Sequence, residues 1–146
     1  MEESINLLPM LREAFGCEKP DIRTFSPLAF AYIGDCIFDL VIRTIIVERG
    51  NRSSESFHKE ATKMVSAVSQ SAMIQALTEE LTEEEAEMYK KGRNAKTYSQ
   101  AKNATSSEYK RATGMETLIG YLYLTDRLPR AVELIRMGLE KTGRSI

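Results

Sequence analysis

Residues 29–46 read AFAYIGDCIFDLVIRTII, and the fold turns on how this stretch is read. Its apolar side chains do not alternate with polar ones, which argues against a half-buried strand. Ser26-Pro27 in front supplies an N-cap and a proline for the first turn, and Gly50 behind supplies a stop. The pattern predicts one long helix, largely buried. On that helix Asp35, Asp39 and Arg43 fall at i, i+4 and i+8, with Ala31 one turn earlier, so they form one narrow polar stripe. An acid in an apolar interior is sustained only when it is paired or binds a cation.

Outward from this stretch the chain reads as helix throughout. Ser53 caps a second helix in which Phe57, Ala61, Met64, Val65, Val68 and Ala72 recur at three- and four-residue spacing, with a break near Ser66 or Ser69. Thr82 and Glu85 form a capping box that opens a short acidic helix ending at Gly92. SSEYKRATGMETLIGYLYLTD, residues 106–126, reads as a second buried helix, and LPRAVELIRMGLEKTG, residues 128–143, as an amphipathic one with Gly143 as its stop. INLLPMLREAFG is a weaker helix, with Pro9 against it. Strand and hairpin signals are missing, so the fold class is all-α. At 146 residues and 42% hydrophobic content, one domain over 1–146 is expected.

Asp35 and Asp39 interrupt the longest apolar run before the roughly 20 clean residues that a membrane span needs. The start MEESINLL is acidic where a signal peptide is basic, so no membrane partner is expected. Cys17 and Cys36 lack CxxC spacing and are too few for a disulfide framework, which suits reduced thiols and a cytoplasmic location.

The formal net charge of -1 hides an uneven distribution. Residues 79–87 hold six acids and no base, the pattern of a solvated face. Residues 89–111 hold seven bases against the single acid Glu108. There Gly92, Asn94, Ser99, Asn103, Ser106 and Ser107 break helical periodicity, and a loop with uncompensated Lys and Arg suits a polyanion.

The late buried helix also carries an acid, Glu116, flanked on its face by Thr113, Thr117 and Gly120. Packing the two helices together brings Asp35 near Glu116. Two explanations stay open at this point. Asp39 can pair with Arg43 while Asp35 bonds a neighbouring backbone group, a purely structural arrangement. Alternatively the carboxylates hold Mg²⁺, a hard cation that takes carboxylate oxygens and waters, and that activates water beside a phosphodiester.

The segment LAFAYIGDCIFDLVIR, residues 28–43, resembles the signature helix of the ribonuclease III family. Together with HKEATKMVSAVSQSAM at 58–73, YKKGRNAKT at 89–97 and RATGMETLIGYLYL at 111–124, it resembles the Mini branch of that family over a core of 25–140. The resemblance implies a homodimeric, all-helical endonuclease domain without a separate double-stranded RNA-binding domain, consistent with a chain that ends soon after its last helix. It implies Mg²⁺-dependent cleavage of double-stranded RNA, with Mn²⁺ as a substitute, to leave 5′ phosphate and 3′ hydroxyl ends. In this family the substrate is the 23S ribosomal RNA precursor, and a ribosomal protein that shapes the RNA is a candidate further partner.

By position, the resemblance makes Asp35 and Glu116 the catalytic, metal-binding acids. Larger relatives have two more acids, at the positions of Ala31 and Thr113 here, which leaves fewer protein ligands. Asp39, Arg43 and Thr113 are expected to support the site, Asp39 by pairing with Arg43. His58, Lys59, Lys90, Lys91, Arg93, Asn94, Lys96 and Lys102 are the expected RNA contacts, chiefly to phosphate and shape. Cys36 reads as a packing choice, and Tyr121 and Tyr123 as core and interface residues. Two alternatives are a non-catalytic RNA-binding paralogue, disfavoured by intact Asp35 and Glu116, and an all-α nucleotide pyrophosphohydrolase. The latter would place paired acids on core helices, whereas the dense acids here lie on a solvated segment.

Overall fold

The computed structural model describes residues 7–96 and 104–146, and every regular element among them is helical. In chain order they are α1 (Leu7–Phe15), α2 (Pro27–Glu48), α3 (Ser54–Val65), α4 (Ala67–Ala76), α5 (Glu83–Arg93), α6 (Ser106–Leu124) and α7 (Leu128–Lys141). Short 3₁₀ turns at Ile22–Thr24 and Thr78–Glu80 join them. No described helix is long and apolar enough to cross a membrane.

The helix starts follow the capping residues. Ser26 accepts from Ala29 N, Ser53 from Ser56 N and Ser66 from Ser69 N, so Ser66 is where the α3–α4 break falls. Thr82 and Glu85 form the capping box of α5, and Thr105 with Glu108 forms a second one, at α6. Pro9 does not prevent α1. It is the third residue of that helix, where its missing N–H would have had no intrahelical acceptor.

α6 is the axis of the molecule. Ala112, Met115, Leu118, Ile119, Leu122 and Tyr123 are buried, together with Thr113, Gly114, Thr117 and Gly120, so the helix is covered on nearly every side. α2, α4, α5 and α7 pack around it. α2 contributes Phe38, Ile42 and Ile46, α4 contributes Met73 and Ile74, and α7 contributes Leu134 and Ile135, all almost fully buried. Each such side chain stabilises by about 1.5–3 kcal/mol, whereas the exposed Asp39–Arg43 pair contributes about 1 kcal/mol at most. The core, rather than the polar stripe, holds α2 in place.

Gly92 does not stop α5. It lies inside the helix, where a Cβ would overlap the Thr117 hydroxyl and sit 3.0 Å from Gly114 Cα. Thr117 Oγ1 donates to Thr113 O at 2.8 Å and lies 3.2 Å from Pro27 O, so α2, α5 and α6 meet around it.

Charged groups fasten the outer elements. Glu85, nearly fully buried, accepts from Thr82 N and from two nitrogens of Arg130, each at 2.9 Å, tying α5 to α7. Glu84 accepts Arg127 bidentately at 2.9 and 3.0 Å and the Tyr121 hydroxyl at 2.5 Å. The Arg127 guanidinium, and then Tyr121, hold the Glu84 carboxyl down at about 2.

Candidate active site

α2 and α6 cross backbone to backbone. At Gly34 an added Cβ would overlap the Glu116 carbonyl and lie 2.8 Å from Gly120 N; at Gly120 it would overlap the Phe30 carbonyl. Only hydrogen fits at either point, so the helices approach until Asp35, next to Gly34, stands beside Glu116. Both acids open onto one cleft of about 660 Å³, which Ala31, Tyr32, Asp39 and Thr113 also line.

The electrostatics of the pair are asymmetric. Burial, then a hydrogen bond with Asp35, then the Asp35 charge push the Glu116 carboxyl up to about 9, and the nearby Gln70 amide opposes them. At neutral pH Glu116 therefore keeps its proton and donates it to Asp35. Like charges this close share a proton until a cation replaces it.

Asp35 is not buried, contrary to the sequence expectation. It lies on an exposed flank of α2 with Leu28, Tyr32, Cys36 and Leu40, and Tyr32 is 86% exposed. The other half of the α2 stripe behaves as read: Arg43 Nε donates to Asp39 Oδ1 at 2.9 Å. Thr113 Oγ1 donates to Tyr109 O at 3.0 Å, which leaves its oxygen lone pairs at the cleft wall.

The donor set fits a hard cation. No cluster of three or more His, Cys, Asp or Glu that could hold a metal occurs among the described residues, so two carboxyls face each other while Asp39, on the same cleft, is turned to Arg43. Mg²⁺ accepts such a site because it keeps several waters; zinc, which favours His and Cys, does not.

Residues 28–127 match the ribonuclease III domain family. A Mini-ribonuclease 3 of Enterococcus faecalis is 44% identical over 127 residues, 86% of this chain and 96% of that protein. One of Streptococcus pneumoniae is 37% identical over 123 residues, 83% and 96% of the two chains. The chain belongs to the Mini-ribonuclease 3 family. It is an endoribonuclease of the ribonuclease III type. A crystal structure of a Fusobacterium nucleatum protein superposes with a TM-score of 0.74 at 30% identity, covering 84% of this chain and 98% of that one.

Among the described residues, those that the family resemblance marks as RNA contacts do not line the acidic cleft. Lys90, Lys91 and Arg93 form the last turn of α5 rather than a loop, and Asn94 and Lys96 follow it. Arg93 lies over the Tyr89 ring, 5.5 Å from its centroid, and Tyr89 packs on Gly114, two residues before Glu116. His58 is exposed on α3 in a pocket shared with Arg43, and Lys59 lines a separate one with Arg52 and Lys63. Lys102 lies outside the described residues. Tyr123 is buried in the core as expected, while Tyr121 is half-buried against Phe30. Sequence reading missed Gln70, a glutamine on the middle of α4 that is 2% exposed beside Glu116. A lone glutamine among serines gives no periodic or motif signal by itself.

Proposed function

We propose that this Mini-ribonuclease 3 family member cleaves both strands of an RNA duplex in a Mg²⁺-dependent hydrolysis, with Asp35 and Glu116 as its catalytic acids. The observation that carries the reading is the placement of these two carboxyls side by side at the mouth of one cleft. Asp39, Glu84 and Glu85, by contrast, each face an arginine. A bound cation supplies an activated water at neutral pH and stabilises charge on the phosphate and on the leaving 3′ oxygen. Asp35 and Glu116 hold it, Asp39 stays turned to Arg43, and the cleavage leaves a 5′ phosphate.

The working form is a homodimer. The α2 flank that rims the cleft carries Leu28, Tyr32 and Leu40 to solvent, an apolar surface that a two-fold copy would cover. Two clefts across one groove would then cut opposite strands with a short 3′ overhang. His58, Lys59 and the basic end of α5 with Lys90, Lys91, Arg93, Asn94, Lys96 and Lys102 contact the duplex. The natural substrate is the 23S ribosomal RNA precursor in the cytoplasm, shaped by a ribosomal protein.

The test is incubation with a long RNA duplex, and with each of its single strands, in Mg²⁺ or in EDTA, beside sedimentation at micromolar concentration. Duplex-only, metal-dependent cutting by a species of twice the chain mass is expected. Metal-independent cutting, or a strict monomer that cleaves both strands, overturns the reading.

A further inference from the structure

The α3–α4 corner places a buried amide behind the acidic pair. α3 ends at Val65, whose carbonyl lies at a helix terminus and so lacks an intrahelical donor. Gln70 Nε2 donates to that carbonyl at 3.0 Å, and Gln70 N donates to Ser66 O at 2.9 Å. The side chain is almost completely buried, yet its Oε1 has no hydrogen-bond partner among the described residues. A buried polar atom left without a partner is uncommon and calls for a reason.

The reason lies on the other side of the amide. Nε2 carries two hydrogens, and only one is used by Val65. The Glu116 carboxyl lies beside the Gln70 side chain and interacts with its amide. Reversing the amide would aim Oε1 at two acceptors, the Val65 carbonyl and the Glu116 carboxylate. The orientation is therefore fixed by acceptors on the nitrogen side, at the expense of the oxygen.

We propose that Gln70 is a positioning residue for the metal site: one amide N–H is anchored on Val65 O, and the other holds the Glu116 carboxylate facing Asp35. This rests on the reading of Asp35 and Glu116 as the metal pair. The amide acts through Glu116, as a hydrogen-bond donor that fixes its rotamer. Outer partners of this kind typically change metal affinity or activity by about 10–100-fold.

The test is titration of the metal-free, full-length protein with Mn²⁺ by calorimetry and electron paramagnetic resonance, at constant pH. Gln70→Met keeps length and bulk but removes both N–H groups. Ser66→Ala removes the N-cap of the same corner without reaching Glu116. Gln70→Met is expected to weaken Mn²⁺ binding about 10–100-fold and to move the metal midpoint of cleavage by the same factor. Ser66→Ala should lower the melting temperature and leave the Mn²⁺ midpoint in place. Unchanged affinity in Gln70→Met, or an equal loss in Ser66→Ala, overturns the proposal, because Gln70 would then be only a corner staple. A crystal of the wild-type chain with Mn²⁺ tests the same point without a mutant. Gln70 Nε2 within hydrogen-bond distance of Glu116 supports it, and an amide turned away refutes it. Should the wild-type chain itself fail to bind Mn²⁺, the metal-pair reading falls first, and this inference falls with it.

Discussion

Glu116→Gln swaps a carboxyl that keeps its proton at neutral pH for an amide of the same shape, so in the absence of metal the folded protein loses little. The sign of the effect follows from the two protonation states. The folded carboxyl titrates at about 9 and its reference value is 4.5. Between those pH values the folded chain holds a proton that the unfolded chain has released, so stability declines as pH rises across that window. Denaturant unfolding in EDTA from pH 5 to pH 9 should show this decline in the wild type and a flatter curve in Glu116→Gln, which becomes the more stable protein at the alkaline end. Cleavage behaves in the opposite way: Asp35→Asn and Glu116→Gln should each lose activity by orders of magnitude while still binding duplex, because a neutral side chain no longer attracts the cation. Near wild-type cutting by either variant, or unfolding of Asp35→Asn, would place the chemistry elsewhere. At this scale the i, i+4, i+8 stripe told which residues share a face and that Asp39 would find Arg43. It did not tell that Asp35 is exposed, because exposure depends on what fails to pack against α2, and spacing within one helix carries no such information.

Between helices, the two acids are brought together by two hydrogens, those of Gly34 and Gly120. Gly34→Ala would drive a methyl group into the Glu116 carbonyl, a backbone atom that cannot rotate away. The crossing of α2 and α6 must open, at about 1–3 kcal/mol or more, and the carboxyls separate as it does. A lower melting temperature together with weakened Mg²⁺ protection is expected; a variant that melts like wild type would show that the crossing is looser than it looks. Arg130→Met tests a different joint. It leaves Glu85 buried with only the Thr82 N–H, and removing one partner of such a pair typically costs about 3–5 kcal/mol. Chemical denaturation should register that loss, whereas a change below about 1 kcal/mol would mean that Glu85 reaches water. Helix starts were legible because capping is local: Ser26, Ser53, Ser66 and Thr82 each accept from a backbone N–H three residues on. Gly92 was misread as a stop because glycine serves equally to end a helix or to admit a neighbour. The deciding neighbour, Thr117, comes from another element.

Across the whole molecule, charge is separated rather than balanced. α5 begins with Glu83, Glu84 and Glu85 and ends with Lys90, Lys91 and Arg93, an order that suits the helix dipole and stabilises the helix by about 0.3–1 kcal/mol per favourable end. The dipole alone explains why the bases sit at that end, but not why the basic run continues past it through Lys96, Lys102, Lys110 and Arg111. A duplex phosphate surface explains both, since each neutralised phosphate releases counterions and the affinity then falls steeply with salt. Replacing Lys90, Lys91, Arg93, Lys96 and Lys102 together by Ala separates the two explanations. If the bases serve only the dipole, the variant melts at a lower temperature and binds duplex RNA as before. If they meet phosphate, binding weakens evenly across duplex sequences and the plot of log affinity against log salt becomes shallower, by about one unit of slope per lost phosphate contact. The second outcome is expected, with only a small drop in melting temperature, because exposed charges usually change stability by less than about 0.5 kcal/mol each. Duplex affinities measured from low to physiological salt decide it, and an unchanged slope in the fivefold variant would remove the basic run from the RNA-binding surface.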